Sequence, residues 1–403
     1  MIQDDTTEDE EEEEEEGAIH NQEVVYDRSL PGAHSYLGDD LQDVSGRTIH
    51  DEDSYLTLPL LALPGVVLTP GQTIPLHLFE PSVVSMVRHI LTTDRTFGLL
   101  TARVNSDEPV IGTTAEILAV KDEEDDRSGV SVVRVKAIGR QRFQVLESRR
   151  QVDGMLMGKV LILPESQLCD ALEGAVAPSL RRRGVTLRST GKFNKLSSAY
   201  ATSLPPWVYK QYDADDLMQR LRCELLSWND HLDLRSIPED ASQFSFWLAS
   251  NLPLDDGQKL RLLRLHCSVQ RLRCELSLMQ RCSALCCKNC ALRIAEKKDV
   301  FCMADEGPIG AYVNPGGHVH ETLTLYKAQG LTLIGRPSTE NSWFPGYAWT
   351  ILQCRNCMQH MGWKFNAVKG KLKPEKFWGL CRSSLIPGIL EESEGTEEWR
   401  PSM

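Results

Sequence analysis

Ser342-Trp-Phe-Pro-Gly-Tyr-Ala-Trp-Thr-Ile-Leu-Gln-Cys-Arg-Asn-Cys357 is the stretch on which the fold turns. It places a tryptophan-rich run directly ahead of a C-x-x-C pair, and the same spacing occurs upstream at Cys287-Lys-Asn-Cys290. A two-residue gap lets both thiolates of one turn face a single tetrahedral cation, and two such turns supply four ligands. Soft sulfur ligands without histidine predict one zinc ion held by Cys287, Cys290, Cys354 and Cys357. Sixty-three residues lie between the pairs, well beyond the roughly 15–20 of a compact zinc ribbon. The metal is therefore expected to clamp two remote hairpins of one domain. Cys286 adjoins Cys287, but pairing it with Cys290 leaves a three-residue gap, so Cys287 is the better ligand. A redox role suits one C-x-x-C alone; two together favour zinc. Four sulfurs leave no open coordination position, so the ion is expected to be structural. Lys288 and Arg355, inside the turns, are placed to offset the negative charge of a zinc tetrathiolate.

Side chains alternate along a strand, so a strand over Tyr347 to Gln353 puts Trp349 and Ile351 on one face. The next strand does the same for Trp363 and Phe365, with Cys354 and Cys357 in the turn between. Zinc would then fix the register that brings Trp349 and Trp363 together. Trp343 precedes them in the loop Pro337 to Gly346. Two readings fit this aromatic group. One is the bulky core of a small β domain; the other is a cage of rigid indoles for a flat or cationic guest. Composition does not separate them.

Outward from this region, the chain reads as α+β and mostly β. Strand-like runs are Leu56 to Val67, Ile74 to Phe79, Phe97 to Val104, Thr114 to Val120, Val130 to Ile138, Arg142 to Glu147 and Met155 to Ile162. Lys121 to Gly129 reads as an acidic turn. Pro81 opens a helix over Ser82 to Thr92. Glu165 to about Ser203 is poorly patterned and carries the basic cluster Arg181, Arg182, Arg183 and Arg188. Asp213 caps a helix with Leu217, Met218, Leu221, Leu225 and Leu226 on one stripe. Asp240 to Leu248 is a second helix, and a third runs from Asp255 or Asp256 to about Gln280. The expected division is an acidic disordered tail over 1–54 with local order around Tyr36 and Leu37, a domain over 55–282 with a helical insert at 165–235, a zinc domain over 283–390, and an acidic tail over 391–403.

At 403 residues the chain is long enough for two or three domains of about 100–200 residues. Its net charge of −13 comes from 57 acidic and 44 basic side chains, and eleven of the acids lie in the first sixteen residues. Without them 46 acids face 44 bases, which argues against a basic nucleic-acid-binding body. The apolar run Leu56 to Leu68 is broken by Pro59 and Pro64, so no membrane span is expected. Twelve cysteines behind an acidic N-terminus point to a reducing compartment, cytoplasmic or nuclear.

Further runs carry a family likeness. They are Gly335-Arg-Pro-Ser-Thr-Glu340, Ser342 to Thr350, Gly362-Trp-Lys-Phe365, Phe377-Trp-Gly-Leu380, Ala311-Tyr-Val-Asn-Pro315 and His320-Glu-Thr-Leu-Thr324. Upstream, Gly112-Thr-Thr-Ala-Glu-Ile117, Val135-Lys-Ala-Ile-Gly-Arg-Gln-Arg-Phe143 and Gln270-Arg-Leu-Arg-Cys-Glu-Leu276 join them. From about residue 30 to 390 the sequence resembles the cereblon family. That resemblance implies a Lon N-terminal-like β domain with a helical insert and a helical C-terminal part, followed by a zinc-stabilised β-tent domain of the CULT type. It implies a non-catalytic substrate receptor of a cullin-4 RING E3 ubiquitin ligase, which presents proteins for ubiquitination and proteasomal degradation. The insert is implied to dock on the DNA-damage-binding β-propeller adaptor. The cage is implied to take small cyclic imides, both thalidomide-type glutarimides and C-terminal cyclic imides on protein substrates. No direct nucleic-acid contact is implied.

By position, the resemblance makes Trp343, Trp349 and Trp363 the walls and Phe365 the base. Asn341 and Ser342 belong to the ligand-binding loop, where the Asn341 backbone carbonyl and the Trp343 backbone N–H are implied to read the imide. Asn314 and Pro315 are implied to line the rim. Asn341 stands where family members commonly carry histidine, and Gly316 and His318 replace larger rim residues. Ile351 replaces a smaller valine of some members. Two enzymatic rivals arise. A Lon-type protease requires a phosphate loop, and no G-x-x-x-x-G-K-[ST] occurs in the chain. A zinc-containing methionine sulfoxide reductase requires a reactive thiol, for which Cys381 beside Arg382 is the candidate.

Overall fold

The computed structural model describes residues 26–38, 40–44, 46–101, 109–124, 131–168, 206–228, 237–368 and 372–389. The glutamate run, the cluster Arg181 to Arg188, the tail over 391–403 and much of the expected helical insert lie outside the described residues.

Alternating apolar residues build the first sheet from β1 (Gln42–Asp43), β2 (Tyr55–Ala62), β3 (Thr73–Leu78), β4 (Thr96–Leu100), β5 (Ile111–Glu124), β6 (Ser131–Arg150) and β7 (Leu156–Ile162). Their order is β1-β5-β4-β2-β7-β6-β3, and β5 also pairs with β6, so five strands close into a ring. Within one core, Ile74, Phe97, Ile117 and Val135 pack against Val84, Val87 and Ile90 of a helix over Pro81–Leu91. Two expected strands, Val130 to Ile138 and Arg142 to Glu147, are one strand. Gly139 does not turn the chain: it gives its N–H to the Gln72 carbonyl at 2.9 Å and accepts from the Gly71 N–H at 2.8 Å. Its missing Cβ leaves room for the Thr69 backbone. Likewise Lys121 to Glu124 are not a turn but the end of β5, paired with Ser131 to Arg134.

With short helices at Leu30–Ala33 (α1) and Pro206–Lys210 (α3), and Pro81–Leu91 as α2, the remaining helices are α4 (Ala214–Trp228), α5 (Ala241–Asn251), α6 (Asp256–Arg264) and α7 (Ser268–Arg281). Asp255 caps α6 through a capping box with Gln258. The expected third helix is thus two helices. The buried Arg142 guanidinium takes the Leu263 and Leu265 carbonyls at 2.9 and 2.8 Å, and the Ser166 N–H takes the His266 carbonyl at 2.7 Å. Those bonds hold extended backbone where a continuous helix would have to pass.

Six strands form the second sheet in the order β10-β11-β15-β14-β13-β12: β10 (Ile309–Val313), β11 (Val319–Leu325), β12 (Leu331–Ser338), β13 (Tyr347–Cys354), β14 (His360–Ala367) and β15 (Lys376–Cys381). A third sheet joins β8 (Cys282–Cys287) to β9 (Arg293–Glu296) and β16 (Leu385–Ile389). One core runs from Leu221 and Leu225 of α4 through Leu272 and Leu276 of α7 to Leu323, Leu352 and Leu380. It covers one face of the six-stranded sheet. The opposite face carries an aromatic core of Tyr312, Trp343, Phe344, Tyr347, Phe365 and Phe377.

The expected disordered tail is ordered over the described residues from 26 onward. Tyr26 is buried edge-on against Tyr347 at 5.4 Å, Leu37 is buried, and β1 pairs with β5. Few apolar residues are available here, but Tyr26 enters the aromatic core, Tyr36 packs against it and Leu37 is buried, and that burial works against the ordering entropy.

Candidate metal centre and aromatic cage

Both C-x-x-C turns have one geometry. The Cys287 N–H donates to the Leu292 carbonyl and the Cys354 N–H to the Gln359 carbonyl, at 2.8 and 2.9 Å. Four residues after each first cysteine, Ala291 and Met358 return an N–H to its carbonyl, both with φ of 58°. Cys287 ends β8 and Cys354 ends β13, so the turns come from different sheets. Their sulfurs meet pairwise: Cys287 Sγ to Cys357 Sγ is 3.6 Å and Cys290 Sγ to Cys354 Sγ is 3.6 Å. All four lie within 4.8 Å of one another. A tetrahedron with Zn–S bonds of about 2.3 Å has edges of roughly 3.8 Å, so the four cysteines fit one zinc ion. Lys288 and Arg355 are exposed beside it. Burial pushes the Cys287 thiol up to about 12, whereas hydrogen bonds from the Asn289 side chain and the Gln359 backbone bring Cys357 down to about 6. Four thiolates together require a cation. Cys286 belongs to no such cluster, since strand alternation turns it away from Cys287.

Register then sets the aromatic face. Trp349 pairs with Phe365, Ile351 with Trp363, and Phe365 with Phe377. Gly379, opposite Trp363, leaves room for the Phe365 ring, which a Cβ would approach to 2.8 Å. Trp343 and Trp363 meet edge to face at 4.6 Å and 75°. Tyr312 stacks on Trp343 at 5.2 Å, and the Trp343 indole N–H donates to the Val313 carbonyl at 3.2 Å. Trp343 is buried, while Trp349 and Trp363 are half-buried. The Trp349 indole N–H donates to the Glu340 carbonyl at 2.9 Å. Two indoles thus make a corner, and the third is tied to the loop that follows β12.

In that loop Asn341 has φ of 51°, a left-handed conformation that asparagine tolerates. The Ser342 hydroxyl donates to the Phe344 carbonyl at 3.1 Å. Among the described residues, neither the Asn341 carbonyl nor the Trp343 backbone N–H has a hydrogen-bond partner. Asn314 and Pro315 lie in the β10–β11 turn. The Asn314 side-chain oxygen accepts the His318 N–H at 2.9 Å, and its amide lies 3.5 Å from His320 Nε2.

Two histidines escaped the sequence reading. His320 and His360 stand edge-on to Trp363 at 5.0 and 4.9 Å. Burial and the neighbouring His360 and His318 bring His320 down to about 4, and burial lowers His360 as well. Both are neutral at pH 7. Strand alternation places His320 with Thr322 and Cys381, but only the β11–β15 register reveals that neighbourhood.

Cys381 Sγ is 3.7 Å from His320 Nδ1 and 3.9 Å from His360 Nε2. Burial pushes this thiol up to about 12. Arg382 does not activate it, because β15 ends at Cys381 and the Arg382 guanidinium, from the 3-10 turn that follows, is taken up by Glu321 and Asp256. A thiolate nucleophile needs the opposite surroundings.

Residues 57–281 match the family described as the ATP-dependent protease La (LON) substrate-binding domain, and residues 283–399 match the Yippee zinc-binding/DNA-binding and Mis18 family. The fold and the four-cysteine centre therefore define a Lon-type substrate-binding unit joined to a Yippee-type zinc unit. Curated relatives called protein cereblon match this whole arrangement. The one from Xenopus tropicalis is 48% identical over 92% of this chain and 86% of its own length. The one from Danio rerio is 47% identical over 92% and 90%. The chain belongs to the cereblon family. A Lon N-terminal domain protein from Xanthomonas campestris matches 55% of this chain and 98% of its own at 25% identity, with a TM-score of 0.33.

Proposed function

We propose that this protein is the substrate receptor of a cullin-4 RING E3 ubiquitin ligase, and that its cage binds cyclic imides and C-terminal cyclic imides on target proteins. The loop geometry supports this reading. An imide edge alternates acceptor, donor and acceptor. Beside the indoles, and among the described residues, the carbonyl at Asn341 and the N–H at Trp343 have no protein partner. Partners for the edge matter, since an unsatisfied buried polar group costs about 1–3 kcal/mol. Neutral His320 and His360 suit an uncharged guest. The side chains of Asn341, Ser342, Asn314 and Pro315 are assigned to the mouth, and Phe365 to the base. The protein itself performs no chemistry in this scheme. Its segment 165–235 docks the DNA-damage-binding β-propeller adaptor, and it works in cytoplasm and nucleus. Titration calorimetry of the zinc-loaded chain with glutarimide and its N-methyl analogue tests the reading. Glutarimide should bind and the N-methyl compound should not; equal heats from both would sink the imide site.

A further inference from the structure

We propose that the outer edge of β12 is a strand-pairing site for the extended peptide that precedes a C-terminal cyclic imide, so that the tail is read along with its cap. The proposal rests on the imide reading and adds the polypeptide to it. β12 is the outermost strand beside β13, which carries Trp349 and Ile351. Among the described residues, nothing pairs with its outer side.

The register tells which backbone groups face outward. Leu331 pairs with Cys354, and the Arg355 N–H donates to the Gly330 carbonyl at 2.9 Å. That bond makes Leu331 with Cys354 a non-hydrogen-bonded pair of the antiparallel ladder. By alternation, Thr332 and Ile334 direct their N–H and C=O groups to β13, and Leu331 and Leu333 direct theirs away from it. Two residues spaced by two are what an incoming strand needs.

Natural edges are usually blunted by charge, proline or a bulge. Leu331-Thr-Leu-Ile334 carries none of these, and Leu333 and Ile334 are 50% and 37% exposed. The blunting comes only afterwards, where Gly335, Arg336 and Pro337 bulge out between the pairs Ile334–Ile351 and Ser338–Trp349. On the cage face Ile334, Ile351 and Trp363 form one row across three strands. Strands lie about 4.8 Å apart and rise roughly 3.3 Å per residue, so about three residues carry a chain from the cage across this row. The residues before those reach the open edge.

The zinc-loaded full chain is titrated with a single-residue capped cyclic imide and with an octapeptide ending in the same imide. The octapeptide should bind at least ~10-fold more tightly. N-methylation of alternate upstream amides should cancel the gain in one phase and spare it in the other. Leu333→Pro removes an outward N–H that the β13 ladder does not use. It should cancel the gain while leaving the short imide's affinity unchanged. Equal affinities for short and long ligands, or a gain that survives both N-methyl phases, overturn the edge pairing and leave the imide site standing. Failure of both ligands to bind removes both readings.

Discussion

Lys259 and Glu321 form an ion pair of 2.6 Å with neither side chain reaching water, although one comes from α6 and the other from the strand that carries His320. The same carboxylate receives the Arg382 guanidinium at 2.7 Å and the Gln72 side-chain amide at 2.9 Å. Arg382 goes on to Asp256 and to the Leu254 carbonyl, both at 2.7 Å. Burial alone would raise the Glu321 carboxyl, but Arg382 and Lys259 outweigh it and bring it to about 2. Along β11, one residue faces the cage and the next faces this network. The Lon-type unit and the zinc unit are therefore joined by buried charge one residue away from the cage wall.

Glu321→Ala should cost about 3–5 kcal/mol, because it strips the fully buried Lys259 of its ion-pair partner and leaves Arg382 with Asp256 alone. Urea unfolding measures the loss. The pair variant Lys259→Met with Glu321→Leu should recover a large part of it. A single-variant loss below about 1 kcal/mol would show that the charges are solvated and the units loosely joined.

Zinc removal should act on both C-terminal sheets at once, since the turns that supply the sulfurs belong to different sheets. Cys354→Ser should release the ion and unfold the zinc unit; loss of near-ultraviolet tryptophan ellipticity reads this directly. Structural zinc contributes roughly 10–16 kcal/mol of apparent binding energy in small zinc-dependent folds, so a strict chelator should reproduce the effect. An unchanged spectrum after verified metal removal would refute the clamp.

The zinc ligands were legible because two spacings carry the whole constraint. The face shared by Trp349 and Ile351, and that shared by Trp363 and Phe365, followed from a period of two. What the sequence hid depends on distant partners. Gly139 looks like a turn until Gln72 and Gly71 bond to it. The helix break at Leu265 needs Arg142, more than a hundred residues away. His320 and His360 flank Trp363 only because β11, β15 and β14 lie side by side. The ordering of Tyr26 and Leu37 depends on cores built elsewhere.

Stability should also fall on mild acidification. Burial brings His34 down to about 3, with Lys136 adding to the effect, against an ordinary value of 6.5. The unfolded chain therefore takes up a proton below pH 6.5 while the folded chain refuses it until about 3. Stability is fully present above the unfolded value and declines as pH drops, by about 1.4 kcal/mol per unit for this residue. His320 and His360 push in the same direction. His34→Phe should flatten the slope of unfolding free energy between pH 6.5 and 5; an unaltered slope would show that His34 titrates normally.

Trp349→Ala and Trp343→Ala should separate binding from folding. Trp349 is half-buried, and among the described residues its ring pairs with no other indole, so its loss should reduce imide affinity at least ~100-fold, about 2.7 kcal/mol, with little change in melting. Trp343 is buried, stacked on Tyr312 and bonded to Val313. Removing it leaves a cavity in the aromatic core and should cost about 3–5 kcal/mol of stability as well as the binding. If Trp349→Ala destabilised the protein as much as Trp343→Ala did, the indoles would be ordinary core and the cage would have no separate wall. Calorimetric titration and thermal unfolding of the same two samples decide between a receptor surface and a packing surface.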